Sequence, residues 1–337
     1  MRRALVVERP GEIALLERAS LVPAAGEVLV RPAFCGLCAT DLELLRGDID
    51  PAYVRYPLTL GHEWSGTVVA AADDVAAIAA GDRCVGEGIV PCGRCGSCRS
   101  GATNVCETYD ELGFTREGGA GDEILVPAAG VHRLDGGVSL VDAALVEPSA
   151  VVVRGLEKVN PPIGSRVLVI GDGTIGLLSA LFVRLWSPAD VVVRGLRPEQ
   201  AELAAAVGAD RFELDGAGAG GYDLVIEAAG TPETAGAAVA SARRGGLVLL
   251  LGLPPAGTTL EIPADSPVNN DLSIVASFGY TTASWTRVVS LVNGGQVGPG
   301  VIVSHRFPLD SWEQALAALS RPDGARGKVL LEIAGGD

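Results

Sequence analysis

The chain is poor in several residue types. Its 337 residues include only two lysines, three histidines and 4% aromatic residues. Basic residues number 26 against 41 acidic ones, and the net charge of −15 argues against nucleic acid or an anionic membrane surface as a partner. Long apolar runs are missing too. No stretch approaches the roughly 18 residues of a bilayer-spanning helix, and the N-terminal "ALVV" is too short for the apolar region of a signal peptide. The expectation is a cytoplasmic protein whose thiols stay reduced. Small and apolar residues are abundant. With 45 glycines and 48% hydrophobic residues, a chain of this length has material for two cores.

Four of the seven cysteines, Cys92, Cys95, Cys98 and Cys106, lie in the run "PCGRCGSCRSGATNVC" at 91–106. In a reducing compartment a disulfide framework is disfavoured, and C-x2-C-x2-C-x7-C presents four thiolates on one glycine-containing loop. Such a loop wraps tetrahedrally around one Zn²⁺. An iron–sulfur cluster uses similar ligands, and four unliganded thiols are the third option. The zinc reading is preferred. Four protein ligands leave no position for substrate, so the lobe at about 91–107 is a staple and the chemistry lies elsewhere.

Up to about residue 150 the chain is β-rich: short runs such as "GEVLVRPAF", "SGTVVAAA" and "EILVPAAG" are separated by Gly, Pro and Asp turns. From 151 the texture changes. "SRVLVIG", "DVVVRG", "YDLVIEAAG" and "LVLLLG" are apolar strands without alternation. Between them run the helical "TIGLLSALFVRLW", "RPEQAELAAAVG" and a helix opened by Thr231-Pro232-Glu233 and closed by Gly245-Gly246. That pattern predicts a parallel sheet covered on both faces. After about 273 come two more helices, one within 284–293 and one opened by Asp310, and a final strand "GKVLLEI". The expected organisation is a nucleotide-type domain at 151–273 inserted into a β-rich domain made of 1–150 and 274–337.

"VLVIGDGTIGLLSA" sets Gly171, Gly173 and Gly176 at a strand–helix junction. One glycine permits the turn, one admits a pyrophosphate and one lets helix pack closely on strand, with the helix N-terminus facing the phosphates. Thr174 and Ile175 in the same turn and Ala229 at the end of a later strand complete the candidate dinucleotide contacts. NAD sites carry an acid about 20 residues on, at the end of the second strand. Here Gly195 stands near that position, flanked by Arg194 and Arg197. Loss of the carboxylate removes repulsion against a 2′-phosphate, and two guanidiniums suit one. NADP is favoured over NAD, the alternative being that both arginines are merely solvated.

The β-rich part contains "CGLCATDLELL" and "GHEWSG", and "VEPSAVVVRG" follows at its edge. Together they offer Cys38, His62, Glu63 and Glu147, a mixed S, N and O set suited to a zinc that keeps one position exchangeable. These motifs, with the four-cysteine lobe and GxGxxG, occur in the order and approximate spacing of the zinc-dependent medium-chain alcohol dehydrogenases, and the chain resembles that family over essentially its whole length. The resemblance implies an α/β protein, with a Rossmann parallel-sheet domain inserted into a β-rich GroES-like catalytic domain carrying the structural zinc lobe. It also implies two Zn²⁺ per chain. By the C-x-[ST]-D position Cys38, rather than Cys35, resembles the first catalytic ligand, with His62 the second. Glu147 resembles the third ligand of the polyol and threonine dehydrogenase branch. Glu63 sits where relatives have a glutamate that approaches or ligates the metal, and Asp41 resembles the carboxylate that orients the histidine. Thr40 resembles the hydroxyl that takes the substrate proton as hydride passes to nicotinamide. Relatives relay that proton through a histidine three residues on; here the residue is Glu43. Cys35 and Cys84 are expected to be buried packing, and Asp172 inside the glycine turn repels pyrophosphate unless it points away.

"YDELGFTREGG" and "GHEWSGTVV" resemble bacterial members acting on secondary alcohols of polyols, cyclitols and aminocyclitols. Ketone reduction, a simple secondary alcohol as substrate, a zinc-free relative reducing C=C bonds and a non-catalytic NADP-binding protein compete with that assignment. The intact Cys38, His62, Glu147 and Thr40 argue against the last two. Family resemblance further implies a homodimer or homotetramer joined near "LSIVASFGY", the edge strand of the nucleotide domain.

Overall fold

The computed structural model describes residues 1–214, 220–320 and 324–334. Among these, residues 1–147, 280–320 and 328–334 form one compact unit, and 148–279 with 324–327 form a second.

The first unit is built on a mixed sheet. Its strands run in the order Val303–Pro308, Lys328–Glu332, Glu27–Leu37, Glu63–Ala71, Arg83–Gly86 and Val131–Arg133, with Ile124–Pro127 also paired to Glu27–Leu37. Only the first pair is parallel. A three-stranded sheet of Glu12–Arg18, Arg2–Arg9 and Leu58–Thr59 accompanies it. Leu5, Val7, Leu37, Leu44, Leu60 and Leu331 share one core with Leu316 of the helix Trp312–Ser320. Each such side chain contributes about 1.5–3 kcal/mol when withdrawn from water. Strand Glu27–Leu37 organises the site, because Gly36 pairs with Glu63 on one side and Leu330 on the other. A Cβ on Gly36 would lie 2.7 Å from Lys328 Cε and would also collide with the Glu63 carboxylate. Only glycine at 36 leaves room for those two side chains to meet.

The second unit is a six-stranded parallel sheet in the order Arg211–Leu214, Asp190–Gly195, Arg166–Ile170, Tyr222–Glu227, Ala242–Leu250 and Ser273–Ala276. Val167, Leu168, Val169, Val191, Val192, Val193, Leu224, Val225 and Ile226 are all fully buried, the reason these strands show no polar alternation. The chain runs outward on one side of Arg166–Ile170 and then returns on the other at Tyr222–Glu227. The carboxyl ends of these two strands form the topological switch point, where ligands bind in such sheets.

Three details differ from expectation. Ser273–Ala276 pairs in parallel with Ala242–Leu250, and residues 274–279, like 148–150 and 324–327, belong to the parallel-sheet unit and not to the β-rich one. Gly245 and Gly246 do not close a helix. The helix ends at Ser241, and both glycines lie within Ala242–Leu250 at a register shift, where Gly245 takes a φ of +70°. The short strand Arg211–Leu214 carried no clear sequence signal, its burial being incomplete.

Candidate active site

Cys38 follows the organising strand directly and caps the helix Ala39–Arg46. Its N–H donates to Asp41 Oδ2 at 2.8 Å, so the carboxylate that starts the helix also fixes the backbone at the cysteine. The other Asp41 oxygen lies 3.8 Å from His62 Nδ1, and His62 Nε2 lies 3.4 Å from Cys38 Sγ. The imidazole therefore has a carboxylate at one nitrogen and a sulfur at the other, the arrangement that presents Nε2 to a metal. Gly61, at φ +102°, places the ring. A Cβ there would be 2.8 Å from Ala120 N and would strike Cys35 Sγ, which gives the buried Cys35 a packing role. Cys84 is likewise buried in an apolar cluster.

Ligand atoms of Cys38, Asp41 and His62 lie within 4.8 Å of one another, and so do those of His62, Glu63 and Glu147. His62 is common to both groups, so Cys38, His62, Glu63 and Glu147 converge. Burial, then Glu63, push the Glu147 carboxyl up to about 8. Burial also raises Asp41. At His62 burial opposes protonation, but Cys38, Asp41 and Glu147 outweigh it and the net direction is upward. Three acids and a thiol packed on one imidazole, whose Nε2 faces the Cys38 sulfur, fit a divalent cation. Zinc suits the donors. One Glu63 oxygen is already engaged by the ammonium of Lys328, which is fully buried. Thr40 and Glu43 lie half-buried on the helix begun by Cys38, and burial raises the Glu43 carboxyl.

The four-cysteine lobe is a second donor set, all four sulfurs lying within 4.8 Å. Cys92 and Cys98 sulfurs are 4.0 Å apart, as are those of Cys95 and Cys106. A tetrahedron of sulfurs around zinc has edges of about 3.8 Å for a Zn–S bond of about 2.3 Å. Backbone N–H groups point at the sulfurs, Cys95 N at Cys92 and Cys98 N at Cys95, both at 3.4 Å. Such donors favour thiolates; those of Arg94 and Cys95 bring Cys92 down to about 6.

In the second unit Gly171 closes the strand Arg166–Ile170 at φ +117°, and a Cβ there would lie 2.9 Å from Ala229 N. A Cβ on Gly176 would strike Gly171 O, while one on Gly173 would meet nothing within 4 Å. The first and third glycines are thus required by packing, and the second leaves open space for a ligand. That cradle fits a dinucleotide. Thr174 opens the helix, half-buried like Ile175. Asp172 points away from the helix N-terminus. Its carboxylate accepts from Leu196 N–H at 3.2 Å, lies against Gly195 and sits 3.6 Å from Arg197. Arg194 does not join this group. The residue is 8% exposed, and its guanidinium donates to Glu213 at 3.1 Å, because it points along the sheet toward the neighbouring strand. In its stead comes Arg326, unmarked by any motif. Gln200 holds its backbone, accepting from Arg326 N at 2.7 Å and donating to Arg326 O at 2.9 Å. Burial, with Arg197 nearby, lowers the Arg326 guanidinium. Lys328 also went unmarked, although a lysine in an apolar strand of a chain with two lysines was a usable signal.

Known families agree with this anatomy. Residues 24–136 match the alcohol dehydrogenase GroES-like domain, and residues 174–294 match the zinc-binding dehydrogenase domain. An L-threonine 3-dehydrogenase of Streptomyces avermitilis is 33% identical over 325 residues, 91% of this chain and 92% of the relative. D-arabinitol dehydrogenase 1 of Uromyces fabae is 28% identical over 93% of this chain and 92% of its own. Among solved structures, a zinc-binding dehydrogenase of Sinorhizobium meliloti bound to NADP superposes with a TM-score of 0.92 at 32% identity, covering 98% of this chain and 99% of that one. The chain belongs to the zinc-dependent medium-chain alcohol dehydrogenase family, with a GroES-like domain and a Rossmann domain, and is an oxidoreductase acting on alcohols. No helix among the described residues is long and apolar enough to cross a membrane.

Proposed function

We propose that the protein interconverts a secondary alcohol of polyol, cyclitol or aminocyclitol type and its ketone, with NADP favoured over NAD and with two zinc ions per chain. The convergence on His62 of Glu63, Glu147 and Cys38, the last of these two residues before Thr40, carries this reading. Cys38, His62 and Glu147 hold the catalytic metal, Glu63 stands beside them, and Cys92, Cys95, Cys98 and Cys106 hold the structural one. When bound, zinc acidifies the substrate hydroxyl and the nicotinamide ring accepts the hydride. Asp41, 3.8 Å from His62 Nδ1, orients the ring by its charge, and Lys328 restrains Glu63. Thr40 takes the hydroxyl proton. Glu43, three residues along the same helix and so on the same face, receives it, and its raised carboxyl suits a proton acceptor.

Gly171, Gly173, Thr174, Ile175, Gly176 and Ala229 bind the dinucleotide, and Arg197 meets the 2′-phosphate. The NADP bound by the Sinorhizobium relative supports the cofactor choice. A glutamate among the ligands and the arabinitol dehydrogenase relative support the polyol branch. The partly exposed Ile274 and the exposed Phe278, on or next to the sheet's edge strand, support a homodimer or homotetramer. Seven free cysteines accord with a reducing cytoplasm. Turnover of cyclitols, aminocyclitols, linear polyols and simple secondary alcohols, each with NAD and NADP, tests the proposal. Activity on ring or linear polyols with NADP supports it. Activity on simple alcohols alone removes the substrate class, and no zinc-dependent turnover at all removes the function.

A further inference from the structure

Three carboxylates that already have a role lie at His62, and a fourth lies near enough to feel its charge. Asp41 faces the imidazole, Glu63 is paired with Lys328, and Glu147 is in the metal set. The fourth is Glu111. Among the described residues no lysine, arginine or histidine forms an ion pair with it. Its side chain has one hydrogen bond, from the phenol of Tyr109 to Oε2.

Backbone pairing fixes where this carboxylate sits. Glu111 bridges antiparallel to Ile89, Val90 N–H donates to Asp110 O at 2.8 Å, and Leu112 N–H donates to Gly88 O at 2.9 Å. A Cβ on Gly88 would lie 3.6 Å from Glu111 Oε1, 3.5 Å from His62 O and 2.9 Å from Tyr280 Oη. Oε1, the oxygen that Tyr109 does not hold, is therefore on the side of Gly88 and of the His62 backbone carbonyl. The residue is half-buried, so the carboxylate is partly desolvated yet reachable. Tyr109 also stacks edge-to-face on Tyr53, with centroids 5.0 Å apart, and Tyr53 is 49% exposed.

We infer that Glu111 is a specificity residue that recognises a protonated amine on the substrate, close to the carbinol that reacts. This inference rests on the alcohol-dehydrogenase reading of the same site and narrows its substrate class to cationic amino alcohols. A partly buried carboxylate lacking a cation is unfavourable until a ligand supplies one, with a charge-assisted hydrogen bond. The same carboxylate repels phosphate and carboxylate groups, so phosphorylated and acidic polyols are disfavoured.

The test uses the full-length zinc-loaded enzyme with cofactor and a matched pair of probes, trans-2-aminocyclohexanol and trans-1,2-cyclohexanediol. The wild type is expected to favour the amine by about tenfold or more in kcat/KM, and Glu111→Gln to reduce that ratio by about tenfold or more, as loss of a charge-assisted contact does. Glu111→Asp, which keeps the charge, is expected to retain part of the preference. A wild type that turns over the diol as well as the amine overturns the inference while leaving the dehydrogenase reading intact, and needs no variant. Equal losses on both probes in Glu111→Gln overturn it too, since a structural prop acts on both alike. If neither probe is turned over, calorimetric binding decides. Tighter binding of the amine, abolished in Glu111→Gln, supports the inference, and absence of that preference overturns it.

Discussion

Lys328, fully buried on the strand Lys328–Glu332, places its ammonium on the carboxylate of Glu63, the residue next to His62. Burial disfavours the charged lysine, but Glu63 and then Cys38 outweigh it and hold its pKa above the usual lysine range. A buried pair of this kind contributes little net stability over an apolar pair of the same shape, yet it is costly to break. Lys328→Met is therefore expected to destabilise the fold by about 3–5 kcal/mol, because it strands the Glu63 charge. Adding Glu63→Gln to it should restore much of the loss. Denaturant unfolding of the two variants decides this, and equal stabilities would refute the pairing.

The two donor sets should separate by mutation. Cys38→Ser is expected to abolish turnover and lower zinc content from two ions per chain to one while the fold persists. Cys92→Ser should also cost one zinc, but its main effect should be a lower unfolding temperature, since a structural zinc contributes directly to folding energy. Metal analysis beside thermal unfolding shows the difference, and identical behaviour of the two variants contradicts the division.

Arg197 and Arg194 should part company in the same way. Arg197 neighbours Asp172 and Arg326 on the second strand's carboxyl side, whereas Arg194 is tied to Glu213. Arg197→Ala is expected to weaken binding of 2′,5′-ADP by about tenfold or more relative to ADP, the loss of a charged contact to phosphate. Arg194→Ala should leave that ratio within about threefold and cost stability by about 1–3 kcal/mol through the stranded Glu213. If Arg194→Ala shifts the ratio as much as Arg197→Ala, the arrangement around Gly195 is wrong.

Glu147 sets a pH dependence. Its carboxyl titrates at about 8 in the metal-free fold, above its ordinary value of 4.5, with burial the main cause. A group raised in this direction favours the fold when protonated. Its contribution to the metal-free protein is complete below the ordinary value and is lost as pH rises through about 8. Zinc needs the deprotonated form, so the metal-induced rise in unfolding temperature should grow between about pH 5 and 8, with proton release on binding. Glu147→Gln should flatten that growth. A slope unchanged in the variant excludes Glu147 as its source.

What could be read from the sequence was local. The four-cysteine lobe folds within sixteen residues, the glycine turn within six, and Cys38, Thr40 and Asp41 within one helical turn, so spacing alone assigned their geometry. Apolar strands announced the parallel sheet because burial on both faces removes alternation. Errors arose where a local signal met a distant partner. Gly245-Gly246 has the look of a helix end, yet pairing with Tyr222–Glu227 draws it into a strand. Arg194 looks free beside Gly195 until Glu213 comes alongside on the neighbouring strand.

Tertiary structure alone decided the charges around His62. Lys328 reaches Glu63 across 265 positions of chain, Glu111 reaches the neighbourhood of His62 through strand pairing with Ile89, and Arg326 reaches the dinucleotide site through Gln200. Periodicity and spacing report only what neighbours in sequence do to one another. Which buried charge finds a partner, and which is left to meet a ligand, depends on desolvation and distance in the folded chain.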